Sequence, residues 1–211
     1  MSKFKHLFIL WLAPLTITIS AQTRIIAHRG CWDTDGSAQN SLASLIKADS
    51  IGVYGAEFDM HITRDGVVVV FQDDDIIRND RPDTVNIETN DYEVIKHIRL
   101  ANGELLPALY VYLSMTPKMD SRLILEVKEP RTPEAEARCV REVLRQVQAG
   151  GLKNRTDYIS FSRYICELLH KLEPRADVAY LCGDLSLDSI KALGLSGIDY
   201  EQQVLMSHQS G

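Results

Sequence analysis

Three short stretches carry charges where a buried strand has no use for them. Ile25-Ile26-Ala27 runs into His28-Arg29-Gly30, Gly55-Ala56 into Glu57-Phe58-Asp59, and Leu123-Ile124-Leu125 into Glu126-Val127-Lys128. Glu57, Asp59 and His61 alternate with Phe58, Met60 and Ile62, so a period of two puts the three polar groups on one face of a strand. Glu57, Asp59 and Glu126 at one mouth would repel one another unless something neutralises them. Two readings are open. A divalent cation could bind this all-oxygen set, which suits calcium or magnesium rather than zinc. Alternatively, the carboxylates are solvated or pair with Arg29 and Lys128. With a metal in place, those two cations beside it suit a phosphate group, and His28 suits proton transfer near neutral pH.

The elements that must position these residues follow from hydrophobic periodicity. Apolar runs predict seven strands, near residues 25, 57, 69, 125, 159, 179 and 198. Between them lie helical patterns. Asn40 or Ser41 caps a first helix whose apolar side is Leu42, Leu45, Ile46 and Ile51. Thr63-Arg64-Asp65-Gly66 reads as a hairpin-like turn, and Val67 to Phe71 as a fully buried strand. The stretch from Asp73 to Asp120 reads as a polar loop followed by short helices near 92–98 and 108–113. Thr132-Pro133-Glu134 opens a long helix with Val140, Val143, Leu144 and Val147 inward. Another runs from Tyr164 to Leu172 with Ile165, Leu168, Leu169 and Leu172 inward, and Ser186 caps one that ends at Leu193. Strands alternating with helices predict an α/β fold with a parallel sheet, and in a βα barrel the carboxyl ends of the strands hold the site. A closed eight-stranded barrel typically takes about 250 residues. The 211 residues here predict a (β/α) barrel truncated before its eighth strand.

Net charge is −6 and no long basic run is present, which argues against nucleic acid as a partner. Lys3 and Lys5, the apolar run from Leu7 to Ile19 and the small residues Ser20-Ala21 predict a secretory signal peptide over residues 1–21. That run is shorter than the roughly 20 residues that span a bilayer, so a stable membrane anchor is not expected. The mature domain, residues 24–211, is then periplasmic or extracellular. Cys31, Cys139, Cys166 and Cys182 are too widely spaced for a zinc site. Cys139 and Cys166 fall in helical patterns and read as buried; Cys31 and Cys182 follow strands and could share a rim. Asp73-Asp74-Asp75 reads as a solvated loop.

Taken in order, His28-Arg29-Gly30, Gln39-Asn40-Ser41, Glu57-Phe58-Asp59 with Thr63-Arg64-Asp65-Gly66, Val69-Val70-Phe71-Gln72-Asp73, Leu125-Glu126-Val127-Lys128 and Ser160-Phe161 resemble the glycerophosphodiester phosphodiesterase family. The resemblance runs from about Arg24 to the end. It implies a TIM barrel and metal-dependent cleavage of a small-molecule glycerophosphodiester to glycerol 3-phosphate and an alcohol. By position it implies Glu57, Asp59 and Glu126 as metal ligands, Arg29 and Lys128 as phosphate contacts, and His28 as the first of two catalytic histidines. Gln72 stands where the family has the second. Glutamine has no transferable proton at neutral pH, and a lost acid–base group typically lowers the rate by about 10²–10⁴-fold. His61, on the Glu57 and Asp59 face, is a candidate wall residue. The short C-terminus departs from the family as well, leaving open strand edges that a second copy of the chain could cover. Two rivals therefore stand beside a weakened enzyme: a relative that binds phosphodiesters without turnover, and a defective fragment.

Overall fold

A computed structural model describes residues 23–78 and 83–199. Residues 1–21, assigned above to a signal peptide, and the closing residues 200–211 lie outside the described residues. The main sheet is built from β1 (Ile26–Ala27), β2 (Gly55–Ile62), β3 (Val68–Val70), β6 (Arg122–Val127), β7 (Thr156–Ser160), β8 (Val178–Tyr180) and β9 (Gly197–Ile198), and a separate small hairpin pairs β4 (Asp75–Ile77) with β5 (Thr84–Asn86). Helices α1 (Leu42–Ser50), α2 (Tyr92–Ile95), α3 (Leu109–Ser114), α4 (Pro133–Ala149), α5 (Arg163–Leu172) and α6 (Leu187–Ala192) fill the connections.

The parallel path runs β1-β2-β6-β7-β8-β9. Six of the seven strands read from the sequence lie on it. The other, Val68–Val70, pairs antiparallel with β2 through Met60 and Val70. Thr63–Gly66 is the reason: a four-residue turn cannot make the crossover of a dozen or more residues that a parallel neighbour needs. The expectation of a uniformly parallel series is corrected there. β4 and β5 occupy the stretch that the sequence reading left as a polar loop.

Odd and even strand positions separate two environments. Phe58, Met60, Leu123, Leu125, Tyr158 and Val178 face the helices and join Val140, Val143, Val147, Ile165 and Leu169 in the main core. On the opposite face, Ile124, Ile159 and Leu181 form a smaller apolar floor near Glu57, Glu126 and His28. α4 starts as its sequence predicts: Thr132 is the N-cap, its side chain accepts the Ala135 N–H, and Pro133 holds the first turn. Of the two caps expected for α1, Ser41 is the one used, and Leu45 is buried as expected; the rest of the buried face is Ser44 and Ala48, while Ile46 and Ile51, expected inward, are exposed. In α5 the buried residues are Ile165, Cys166 and Leu169, and Leu172 is exposed. All four cysteines are free; Cys139 and Cys166 are buried in the core and Cys182 is exposed. Among the described residues no helix is long and apolar enough to cross a membrane.

Candidate active site

The site begins with a tight turn. After β1, the Gly30 N–H returns to the Ala27 carbonyl at 3.1 Å, and Arg29 and Gly30 both take left-handed φ values, 59° and 75°. A non-glycine residue there is strained and needs its surroundings to hold it. Two contacts do so. The Arg29 N–H donates to Glu57 Oε2 at 2.7 Å, and the Arg29 carbonyl accepts the Asn40 N–H at 3.2 Å. Gly30 has no alternative in this position: a Cβ would lie 2.7 Å from the backbone carbon of Ser44.

β2 and β6 lie in parallel register, with Asp59 opposite Glu126. That register and the period-two alternation bring Glu57, Asp59 and Glu126 together, each offering an oxygen within 4.8 Å of the others. All three are buried. Both cations named from the sequence converge on Asp59: Lys128 Nζ is 2.8 Å from Oδ1 and Arg29 Nε is 3.7 Å from Oδ2. Lys128 also reaches Glu126 Oε1 at 2.5 Å. The two readings left open by the sequence thus coexist, but the pairing is incomplete. Three carboxylates face two cations, and the hydrogen bond Glu57 receives comes from the Arg29 N–H; its Oε1 is buried with no hydrogen-bond partner. Burial, and then the charge of Asp59, push the Glu57 carboxyl up to about 8. A buried acid that cannot discharge into its surroundings, in an all-oxygen set, is what a hard divalent cation relieves. The donor set fits such an ion.

His28 stands at the rim. Its side chain is 67% exposed, with Nε2 4.0 Å from Glu57 Oε2, and burial and the neighbouring Arg29 hold its pKa below the usual imidazole value. His61 shares the buried face of β2, but its ring turns to the adjoining loop: Nε2 is 3.3 Å from the Gln72 carbonyl oxygen and Nδ1 is 3.5 Å from Asp74 Oδ1. It fastens the end of the hairpin. With the Phe71 N–H on the Asp59 carbonyl at 3.0 Å, it ties the backbone that carries Gln72 to β2. Gln72 Oε1 is buried and has no hydrogen-bond partner.

Two residues that the sequence did not assign to the site, Asn40 and Gln39, hold it in place. Asn40, fully buried and itself at φ 59°, grips Asp59 twice. Its Nδ2 donates to Oδ2 at 2.8 Å, and its Oδ1 accepts the Asp59 N–H at 3.2 Å. Gln39 Oε1 accepts from Arg29 Nη1 at 2.8 Å and aims the guanidinium. A third residue, Glu104, was not anticipated at all. Its carboxylate accepts the N–H groups of Leu42 and Ala43 at 2.8 and 3.1 Å, so the start of α1 and the loop before it are fixed from a distant segment.

A parallel βα sheet with an acidic, cation-flanked centre midway along β2 and at the carboxyl ends of its neighbours β1 and β6 suits a phosphoryl-handling enzyme of the barrel class. The chain belongs to the glycerophosphoryl diester phosphodiesterase family, whose model matches residues 28–193. Among solved structures it is 44% identical to a glycerophosphodiester phosphodiesterase from Parabacteroides distasonis, with a TM-score of 0.83, covering 89% of this chain and 76% of that one. A phosphodiesterase from Oleispira antarctica, solved with the product sn-glycerol-3-phosphate, has the same fold at 20% identity and a TM-score of 0.74, over 89% of this chain and 81% of that one. A glycerophosphodiester phosphodiesterase from Caldanaerobacter subterraneus subsp. tengcongensis is 25% identical over 181 residues, 77% of this chain and 68% of the relative. The TIM-type α/β fold and the phosphoric diester hydrolase class follow from this membership.

Proposed function

We propose that this chain hydrolyses a glycerophosphodiester to glycerol 3-phosphate and an alcohol, with calcium or magnesium held by Glu57, Asp59 and Glu126. The observation that carries the reading is the unpartnered, buried Glu57 Oε1 within a triad of carboxylates that two cations leave under-compensated. A bound divalent cation supplies Lewis acidity and charge neutralisation at a phosphate oxygen. The chain's own residues supply the rest. Arg29 and Lys128 present cationic donors to the phosphate and stabilise charge that builds on its oxygens. His28, exposed and with its pKa lowered, is free to take a proton from an attacking oxygen or return one to the leaving oxygen. Gln72 can hydrogen-bond an ester oxygen but cannot protonate it, so turnover is reduced. Export behind the 1–21 signal peptide belongs to the same reading.

A second reading, a phosphodiester-binding protein without turnover, is favoured by Gln72 itself. The deciding experiment measures glycerol 3-phosphate released from glycerophosphocholine by the purified chain, with and without chelator, beside a Gln72→His variant. Chelator-sensitive release by the parent supports the enzyme, and the variant should gain about 10²–10⁴-fold. A silent parent with an active variant supports the binding protein. Silence from both, or release that ignores the chelator, rejects the metal-dependent enzyme. Independently, Glu57→Ala should abolish calcium or magnesium binding by calorimetry; unchanged affinity would remove Glu57 from the ligand set.

A further inference from the structure

The loop between β1 and α1 carries both side chains that grip the charged centre, Gln39 on Arg29 and Asn40 on Asp59. The Asn40 contact replaces one that the sheet does not make. β1 pairs with β2 only at Ile26–Gly55 and Ala27–Ala56, and β3 pairs with β2 from Met60 onward. The Asp59 N–H falls in the gap between them, where a side-chain oxygen, Asn40 Oδ1, accepts it at 3.2 Å. Asn40 does this from a left-handed conformation, φ 59°. Asparagine visits that region more readily than most residues, but there it persists only where its surroundings fix it.

The surroundings that fix it lie outside the sheet. The β4–β5 hairpin, α2 and the stretch after it build a core of their own, with Ile76, Ile87, Ile95 and Leu106 buried. Ala38, next to Gln39, is buried in that core and not in the one beneath the sheet. One short turn then braces the loop at both ends. Asn102 Nδ2 donates to the Gly36 carbonyl at 3.2 Å, and the Glu104 carboxylate accepts the Leu42 and Ala43 N–H groups. Asn102 also donates to Glu104 Oε1 at 2.8 Å and accepts the Glu104 N–H at 3.2 Å, which joins the two braces. The turn is closed by the Leu100 N–H on the Glu104 carbonyl at 2.8 Å. Among the described residues the Glu104 carboxylate forms no ion pair; its bonds go to the start of α1 and to Asn102. Gln39 and Asn40 sit between the two braced points.

We propose that Glu104 is a positioning residue for the catalytic centre: by fixing the 36–43 loop it sets Asn40 on Asp59 and Gln39 on Arg29, and so governs affinity for the divalent cation. The consequence for metal and turnover rests on the phosphodiesterase reading; the coupling of Glu104 to Asp59 does not. Glu104→Gln keeps the shape but leaves one acceptor oxygen for two N–H groups and turns an NH2 toward one of them. In the full chain without metal, hydrogen exchange of the Asp59 N–H, followed by NMR, should quicken roughly tenfold relative to that of Leu125 in the adjoining β6. A general loss of stability moves both amides alike, so the ratio isolates the brace. An unchanged ratio overturns the proposal without reference to metal. In calorimetry, Glu104→Gln should weaken calcium or magnesium binding about tenfold, the lower end of what outer partners of a metal site cost. The same substitution in an Asn40→Ala chain should cost nothing further; equal losses in both backgrounds would show that Glu104 does not act through Asn40 and would overturn the proposal. A selective change in Asp59 exchange in a chain that neither binds metal nor releases glycerol 3-phosphate would leave the brace standing while the phosphodiesterase reading fails. Hydrolysis by the parent with an unchanged exchange ratio in the variant would do the reverse.

Discussion

At the scale of single residues, the site is held by groups that do no chemistry. Asn40 is the main one. It makes two hydrogen bonds to Asp59, one to a buried charged oxygen that also faces Arg29. Outer partners of this kind typically govern metal affinity by about 10–100-fold. Asn40→Ala should weaken calcium or magnesium binding within that range in a calorimetric titration. It should also lower unfolding stability by roughly 1.5–3 kcal/mol, as for a lost bond to a charged group. Unaltered metal affinity would show that Lys128 and Arg29 suffice to orient Asp59. Glu57 and Asp59 were legible from the alternation within one strand, because the backbone enforces it. Asn40 was not, because an asparagine before a serine reads first as a cap. Only the left-handed turn at φ 59° sends its amide to Asp59.

At the scale of elements, turns and helix ends carry the geometry. Gly30→Ala places a methyl group against the Ser44 backbone in a conformation that L side chains rarely adopt. A strained, overpacked site of this type typically costs about 1–3 kcal/mol. A lowered melting temperature together with loss of metal binding is expected, since the same turn aims the Arg29 N–H at Glu57. Near the other end of α1, Asp49 Oδ1 accepts the N–H groups of Asp120 and Ser121 at 2.9 Å each, fixing the approach to β6. Burial opposes ionisation of Asp49, but the hydrogen bonds from Ser121 and Asp120 outweigh it and hold the carboxyl below its ordinary value. The folded state thus binds this proton less readily than the unfolded chain. The stability it contributes is complete above the unfolded value of about 4 and is lost as pH falls through the lower folded value. Asp49→Ala should melt below the parent at pH 7, and the gap should close on acidification below about pH 4. A gap that persisted in acid would mean that packing, not the carboxylate, is what the variant loses. The β2–β3 hairpin shows how far an element can be read from sequence. Its turn was visible in Thr63–Gly66; its antiparallel sense follows from the shortness of that turn.

At the scale of the whole molecule, metal and fold are linked. The carboxylates lie on two adjacent strands, so unfolding separates them, and an ion that binds only the assembled set stabilises the native state. At a concentration about 100 times Kd the gain is about 2.7 kcal/mol. For a chain of this size that corresponds to roughly 5–11 °C in Tm. Calcium or magnesium should raise the melting temperature by that order and chelator should reverse it. No shift with either ion at saturating concentration would count against a site assembled by β2 and β6.

What the sequence determined alone was the chemistry and the strands that deliver it. Residue type and a period of two placed Glu57, Asp59 and His61 on one face, and the apolar run before Glu126 marked a second buried strand. Those features are local, set by backbone geometry over a few residues. The register of Asp59 against Glu126, the turning of His61 toward Gln72, the grip of Asn40 and Gln39, and the reach of Glu104 to α1 were decided by tertiary structure. Each joins segments separated by 10 to 67 positions or depends on a backbone turn, and no periodicity in a single stretch encodes a distance across the fold.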